Sequence, residues 1–351
     1  MSIKVLFFSF GPEVIASCRT RVYQYIPYLE KYGIVAKVIN YISFERAICD
    51  IKSQSVSLFL RIKNSFFKKL QTFRVLLLAR RYDVIIAQRV LLPIWEQHLL
   101  KSLNPRIIFD FDDALYLVPQ LIKRFNNMLQ ISKHLITTSK DNLKYARKFN
   151  KNVSLITTAV DMRRYYPKIE RKDSYPVVVG WIGSSFTVKY LEMLKDIFRD
   201  LKEKYKERII IKFIGSGKLN WNGIGYQSVE WDLDTELEQL QSFDIGVMPL
   251  EDNQWCRGKG GYKLLQYMSV GIPCVASSVG INKEIIKDGL NGFLAASKEE
   301  WIERLSILIE DQNLRNKMGA EGRKEAEALY SYQANVPKLV DIIVSTKNNF
   351  S

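Results

Sequence analysis

The sequence predicts an α/β protein made of two Rossmann-like, doubly wound parallel-sheet domains. Three observations carry that prediction. The chain of 351 residues exceeds one ordinary domain, and two domains of about 150 to 200 residues fit it. Short apolar, β-branched runs alternate with longer helical patterns, as parallel strands joined by crossover helices require. The alternation also runs in two series, separated by a polar, proline-flanked stretch from Pro167 to Pro176.

The first series opens with Val5-Leu6-Phe7-Phe8, which reads as a buried strand ending near Gly11. A secretory leader would need a small-residue cleavage site after this run, whereas Arg19 and Arg21 follow. Further strands are expected at 36–40, 84–87, 106–111, 135–138 and 153–156. The second series places strands at 177–182, 209–214, 228–231, 245–248, 274–277 and 292–294, with helices at 188–204, 235–242 and 298–311. The expected domains are 1–170 and 174–330, and a closing helix within 330–351 packs back on the first. Open α/β sheets bind ligands beyond the carboxyl ends of their strands, so residues that follow strands, facing a shared central cleft, are the candidates.

Composition narrows the function classes. Cys18, Cys49, Cys256 and Cys274 are scattered without zinc or thioredoxin spacing, and His98 and His134 are the only histidines. No metal site is expected, and a reduced, cytoplasmic setting fits. No run reaches the ~18 apolar residues that span a bilayer. The net charge of +15 asks for an anionic partner. Its densest segment, 52–81, holds Lys52, Arg61, Lys63, Lys68, Lys69, Arg74, Arg80 and Arg81 with no acidic residue, interleaved with Leu58, Leu60, Ile62, Phe66, Phe67, Leu70, Phe73, Leu76 and Leu77. A helix of this kind can lie on an anionic membrane at its inner face. The competing expectation is a domain helix whose apolar stripe faces the core. Nucleic acid is not expected, since no recognition motif accompanies the charge.

The most informative stretch runs from Trp255 to Ser277. A glycine-rich turn (Gly258, Gly260, Gly261) opens a helix containing Leu264, Leu265, Tyr267 and Met268, which stops at Gly271 before Pro273 and a new strand. Glycines ahead of a helix let a ligand approach bare N–H groups, and the positive end of the helix favours a phosphate. Lys259, Lys263 and Arg257 would add charge around a diphosphate, while helical spacing sets Gln266 near Tyr262 and Lys263.

This segment resembles the donor-binding motif of retaining family 4 glycosyltransferases of the GT-B fold. That motif reads Glu, seven residues, Glu, a small-residue helix end, then Gly-x-Pro-Val-Val-Ala. The stretch from Gly280 to Leu294 is similar to a second signature of the family, and Asp244 to Leu250 to the strand before the donor loop. The resemblance implies a metal-independent transferase, without a cofactor, that uses a nucleoside diphosphate sugar as donor and a glycan or lipid-linked acceptor, of the surface-polysaccharide type. Two family glutamates are replaced, by Gly258 and by Gln266. A glutamine amide can still meet ribose hydroxyls, without charge assistance. The family's Arg-x4-Lys diphosphate clamp reads here as Ser184 and Lys189, so Lys189, Lys263 and Lys259 are the expected catalytic cations.

Other donor candidates follow strands: Gly11, then Gly183, Ser184 and Ser185, then Gly215. Trp231 lies where the family holds its nucleobase, and a core role suits it equally. Arg19 and Arg21 are expected to meet a phosphorylated acceptor, with Asp110, Asp112 and Asp113 orienting its hydroxyls. The same acidic cluster supports a rival reading. A strand ending Ile-Ile-Phe-Asp-Phe-Asp resembles the first motif of haloacid-dehalogenase-type phosphatases, with Asp110 as nucleophile, Asp112 as acid/base and bound Mg²⁺. Against it, Ala114 stands where Thr or Val is usual, and no downstream Gly-Asp motif follows. A metal-binding Asp-x-Asp of single-domain transferases and a non-catalytic, membrane-peripheral scaffold are the remaining alternatives.

Overall fold

The computed structural model describes residues 2–52, 54–168 and 176–348. The domain boundary expected near 170–174 lies outside these residues. The chain divides into two compact units. One holds the residues up to Ala159, Arg257–Gly260 and the residues from Tyr332 on; the other holds Val160–Cys256 and Gly261–Ser331.

The first unit is a six-stranded parallel sheet of β1 (Ile3–Ser9), β2 (Ile34–Asn40), β3 (Val84–Gln88), β4 (Ile107–Phe111), β5 (His134–Thr137) and β6 (Val153–Leu155). Its order is β2-β1-β3-β4-β5-β6, so the winding reverses between β1 and β3. The register sets Ser9 beside Gln88 and Gln88 beside Asp110, which puts these three residues abreast at the carboxyl ends. Strand residues Val5, Phe7, Ile86, Ile108 and Ile136 form a core with Tyr332, Val336, Leu339 and Ile343 of the closing helix Tyr332–Asn348. The Tyr332 hydroxyl donates to the Thr20 carbonyl at 2.7 Å, tying that helix down by a polar bond as well as by burial.

The second unit contains β7 (Val177–Ile182), β8 (Ile209–Ile214), β9 (Gln227–Val229), β10 (Ile245–Met248), β11 (Cys274–Ser277) and β12 (Phe293–Ala295), all parallel, in the order β12-β11-β10-β7-β8-β9. Here the reversal lies between β7 and β10, which pair directly. Tyr267, on the helix Tyr262–Ser269, straddles that reversal. Its hydroxyl donates to the Val247 carbonyl and accepts from the Ile182 N–H, both at 3.2 Å. Gly246 makes room for the ring, since a Cβ there would stand 2.5 Å from it. The helix is thereby pinned with its N-terminus at the carboxyl ends of β7 and β10, where a ligand of such a sheet binds. All twelve strands predicted from the sequence are present, five of the second unit's six within one residue of the expected bounds at each end. β9 ends at Val229, two residues before the Trp231 expected.

The basic segment forms the helix Leu58–Leu78 of the first unit, and here one expectation fails. The residues it buries are Asn64, Gln71, Thr72 and Val75, while Leu58, Phe59, Ile62, Phe66, Phe73 and Leu77 are exposed. The apolar stripe does not face the core. A polar anchor accounts for the inversion: Asn64 Oδ1 accepts from the Ser43 N–H at 3.1 Å, and Ser43 caps the neighbouring helix Phe44–Ile51.

Candidate functional site

In the second unit the donor candidates converge at the reversal. Gly261 adopts the left-handed conformation (φ 70°) that a side chain would strain, and starts the helix Tyr262–Ser269. The Leu264 N–H donates to the Gly261 carbonyl at 3.0 Å, and the first turn of the helix carries a partial positive charge. Lys263 lies in that turn, its Nζ 5.5 Å from the centroid of the Trp181 ring at the end of β7. Gly183 packs against the same ring, and the Gly183 carbonyl is in turn so close to Gly215 that a Cβ there would stand 2.3 Å away. The next neighbour is Trp231, whose Cβ is 3.1 Å from that position. Lys263, Trp181, Gly183, Gly215 and Trp231 thus form one continuous surface at the carboxyl ends of β7 and β8.

Within that surface several expected roles change. The Gly183 N–H donates to Ile214 and the Ser184 N–H to Thr187 Oγ1, so neither is left to cradle a phosphate; both glycines serve close packing instead. Ser185 sits half-buried in the same turn, and Lys189 is exposed on the 3₁₀ segment Val188–Leu194, over the ring of Tyr190. The Trp231 indole N–H donates to Glu236 Oε2 at 2.5 Å. Glu236, buried, also accepts from the hydroxyl of Tyr165, which lies 3.1 Å from the Tyr262 hydroxyl. This carboxylate fixes both aromatic groups, yet the sequence presents it only as an acidic residue opening a helix. Gln266 is 3% exposed, and its Nε2 makes no hydrogen bond to any of the described residues.

Arg257–Gly260 packs with the first unit. Asn142 Nδ2 donates to the Gly258 carbonyl at 3.0 Å, and a Cβ on Gly258 would lie 2.9 Å from that of Ala114. Gly260 faces Thr158 and Thr138 as tightly. Arg257 is exposed and Lys259 half-buried.

The acceptor candidates of the first unit are engaged with one another. Arg21 Nε lies 2.8 Å from both oxygens of Asp110, its Nη2 lies 2.7 Å from Oδ1, and both side chains are buried. Burial pushes Asp110 up and Arg21 pulls it back, while Asp110 more than offsets what burial does to Arg21. Three short N–H···O contacts hold the pair as guanidinium and carboxylate. Arg19 is 1% exposed and bonds the Glu13 carbonyl at 3.3 Å. The Gly11 N–H donates to Cys18 Sγ, and Ile15 fills the space above Gly11. The expectations that Arg19, Arg21 and Asp110 meet an acceptor, and that Gly11 lets a donor approach, are therefore corrected: burial and internal pairing give all four a part in the fold. The phosphatase reading falls with them, because a nucleophile clamped on both oxygens cannot reach a phosphorus atom.

Asp112 and Asp113 differ. Arg89 reaches both, at 3.5 and 3.0 Å, and its Nη1 donates to Ser17 at 3.1 Å. Burial would lower the guanidinium, but the two carboxylates hold it above its usual range. Arg89 itself has φ 57°, a strained conformation for such a side chain and one that often marks functional sites. The sequence hides this role, since the residue reads only as an arginine after a buried strand.

With this geometry in place, comparison with known proteins is decisive for the second unit. Residues 162–325 match the model of the family described as glycosyl transferases group 1. That span resembles a group 1 glycosyltransferase domain. Spore coat protein SA of Bacillus subtilis is 30% identical over 181 residues, covering 47% of this chain and 48% of that protein. The chain thus spans about half the length of the curated relatives it matches. A glycosyltransferase from Rickettsia africae aligns over 99% of both chains with a TM-score of 0.73 at 14% identity. Anabaena Alr3699/HepE, solved with UDP and glucose, aligns over 98% of this chain and all of that one, with a TM-score of 0.69 at 13% identity. At such identities the likeness shows the fold, which is GT-B.

One consequence concerns pH. Burial pushes Asp112 up to about 6, Arg89 opposes it and Asp113 adds to it. The unfolded carboxyl titrates near 3.9, so between these values the folded protein holds a proton that the unfolded chain has released. The stability from this group is complete below about pH 4 and lost as pH rises through 6. Asp112→Asn, which cannot ionise, is expected to become progressively more stable than wild type between about pH 4 and 7. Urea midpoints at both ends check it; a constant difference contradicts it.

Proposed function

We propose that this protein is a glycosyltransferase that moves a sugar from a nucleoside diphosphate sugar to a glycan or lipid-linked glycan, with retention and without a metal. The observation that carries the reading is the helix Tyr262–Ser269: a left-handed glycine at its positive end, Lys263 beside Trp181, and a buried Gln266 whose Nε2 makes no hydrogen bond to a described residue. In this reading the helix end and Lys263 receive the diphosphate, and Gln266 donates to a ribose hydroxyl. The sugar C1–O bond to the diphosphate breaks, the acceptor oxygen bonds to C1, and its proton passes to a departing phosphate oxygen. Asp112 and Asp113, held by Arg89, are the acidic groups left to orient the acceptor. A lipid-linked acceptor would be met at the inner face of an anionic membrane.

Titration calorimetry against a panel of nucleoside diphosphate sugars tests the donor class, and no binding by any of them defeats it. Gln266→Leu sharpens the test, because stability and affinity should move in opposite directions. Removing a buried donor that has no partner is expected to raise stability by about 1 kcal/mol. The lost ribose bond is expected to weaken donor binding roughly five- to tenfold. A variant that binds as tightly as wild type would remove Gln266 from the site.

A further inference from the structure

The helix Leu58–Leu78 presents to solvent what a domain helix normally buries. Phe59, Ile62, Phe66, Leu70, Phe73 and Leu77 recur at intervals of three and four along one face, with Leu58 at its start, each 44–76% exposed. The 21 residues reach roughly 30 Å. A contiguous apolar strip of this size exceeds what monomers usually leave bare, and marks a surface that something covers.

The flanking charge decides what covers it. Arg61, Lys63, Lys69 and Arg74 are exposed beside the stripe, and no acidic residue occurs from Ile51 to Tyr82. Lys63 reaches Glu45 of the preceding helix at 2.8 Å, and Lys68 turns inward over the Tyr41 ring. The stripe has near-heptad spacing, which by itself would suit a second copy of this helix. Pairing two copies, however, would set cations against cations along both edges. An anionic bilayer matches both features at once, taking the aromatic and aliphatic side chains at the acyl boundary and the lysines and arginines among headgroups. No helix among the described residues is long and apolar enough to cross a membrane, so the helix would lie along the surface.

We propose that the Leu58–Leu78 helix is the docking surface of this protein for an anionic lipid bilayer, seated by its exposed apolar stripe. The buried polar anchor at Asn64 fixes the helix to the fold, so docking orients the whole first unit rather than a loose arm. The proposal deepens the glycosyltransferase reading and rests on it for its purpose, that is, for bringing the enzyme to a lipid-linked acceptor.

Co-sedimentation with vesicles tests it. Phosphatidylcholine vesicles with about 30% phosphatidylglycerol are expected to retain the protein at least roughly tenfold better than phosphatidylcholine alone, with the advantage shrinking in high salt. The double variant Phe66→Ser/Phe73→Ser should lower retention at least about tenfold. Both rings stand in solvent, so its thermal melt and its nucleotide-sugar binding should match wild type. Equal retention by neutral vesicles, or by the variant, overturns the proposal. So does a wild-type dimer that the double substitution converts to monomer, which would make the occupant a second copy. Donor binding is read separately by calorimetry: vesicle retention without it sinks the enzyme reading and leaves the docking surface, and the reverse outcome does the opposite.

Discussion

Asp110→Ala is expected to destabilise the first unit by about 3–5 kcal/mol, because it strands the buried Arg21 guanidinium without its counter-charge. Arg21 and Asp110 are 4% exposed each, and the carboxylate meets the guanidinium at 2.7–2.8 Å. The bond from Arg21 Nη1 to the Ile156 carbonyl at 3.2 Å cannot replace a full negative charge. Around the pair stand Phe7, Tyr25, Ile86, Ile136 and Leu339, lining a cavity of about 10 Å³ that holds at most about one water, too little to resolvate an ion. Replacing both partners with apolar residues of similar volume, Arg21→Met with Asp110→Leu, is expected to restore most of the loss, since neither charge is then left alone. Urea denaturation of the three proteins, followed by circular dichroism, measures this. A fully stable Asp110→Ala protein would show the pair to be dispensable, and the acidic cluster would need another explanation. The prediction also separates fold from chemistry, because loss of activity here should track loss of folded protein.

How much of this was legible beforehand depended on the kind of signal. Buried parallel strands leave continuous β-branched runs, so Val177–Ile182 and Ile209–Ile214 could be delimited to the residue. The glycine turn and the helix after it were likewise visible, because a left-handed glycine and a helix stop are local requirements. What the sequence could not reveal was pairing across distance. Arg21 and Asp110 stand 89 residues apart, and each looked like a polar group awaiting a ligand. Nothing local singles out Glu236, which is buried and accepts from Trp231 and Tyr165. For the amphipathic helix the sequence left two orientations open, because periodicity shows that a stripe exists and not which side faces in; in the structure Asn64, bonded to the Ser43 N–H, lies on the inward side. Gly258 joins this group. The sequence shows a missing glutamate, whereas the structure shows why a side chain is hard to place there, between Ala114 and Asn142.

Lys263→Ala is expected to lower turnover about 10²- to 10³-fold, the usual cost of removing one group that meets charge developing in the transition state. Lys263 lies in the first turn behind Gly261, where the helix contributes a partial positive charge, and its Nζ stands 5.5 Å from the Trp181 ring. That ring, 1% exposed, holds the ammonium at the end of β7. A cation so placed serves a departing diphosphate better than a donor in its ground state, so kcat should fall more than KM rises. Its contact with the ring contributes about 0.5–1 kcal/mol and the side chain is only half-buried, so the variant should remain folded and its melting temperature change by a few degrees at most. Lys263→Arg should recover the binding but little of the turnover, because a planar guanidinium stacks on the indole and presents its charge elsewhere. Lys189 provides the internal control. It is exposed on a 3₁₀ segment over the neighbouring Tyr190, so Lys189→Ala should cost far less. Steady-state kinetics with a donor identified by calorimetry decide the matter. If Lys263→Ala keeps kcat within about threefold of wild type, well inside the loss expected above, the diphosphate does not leave against this helix.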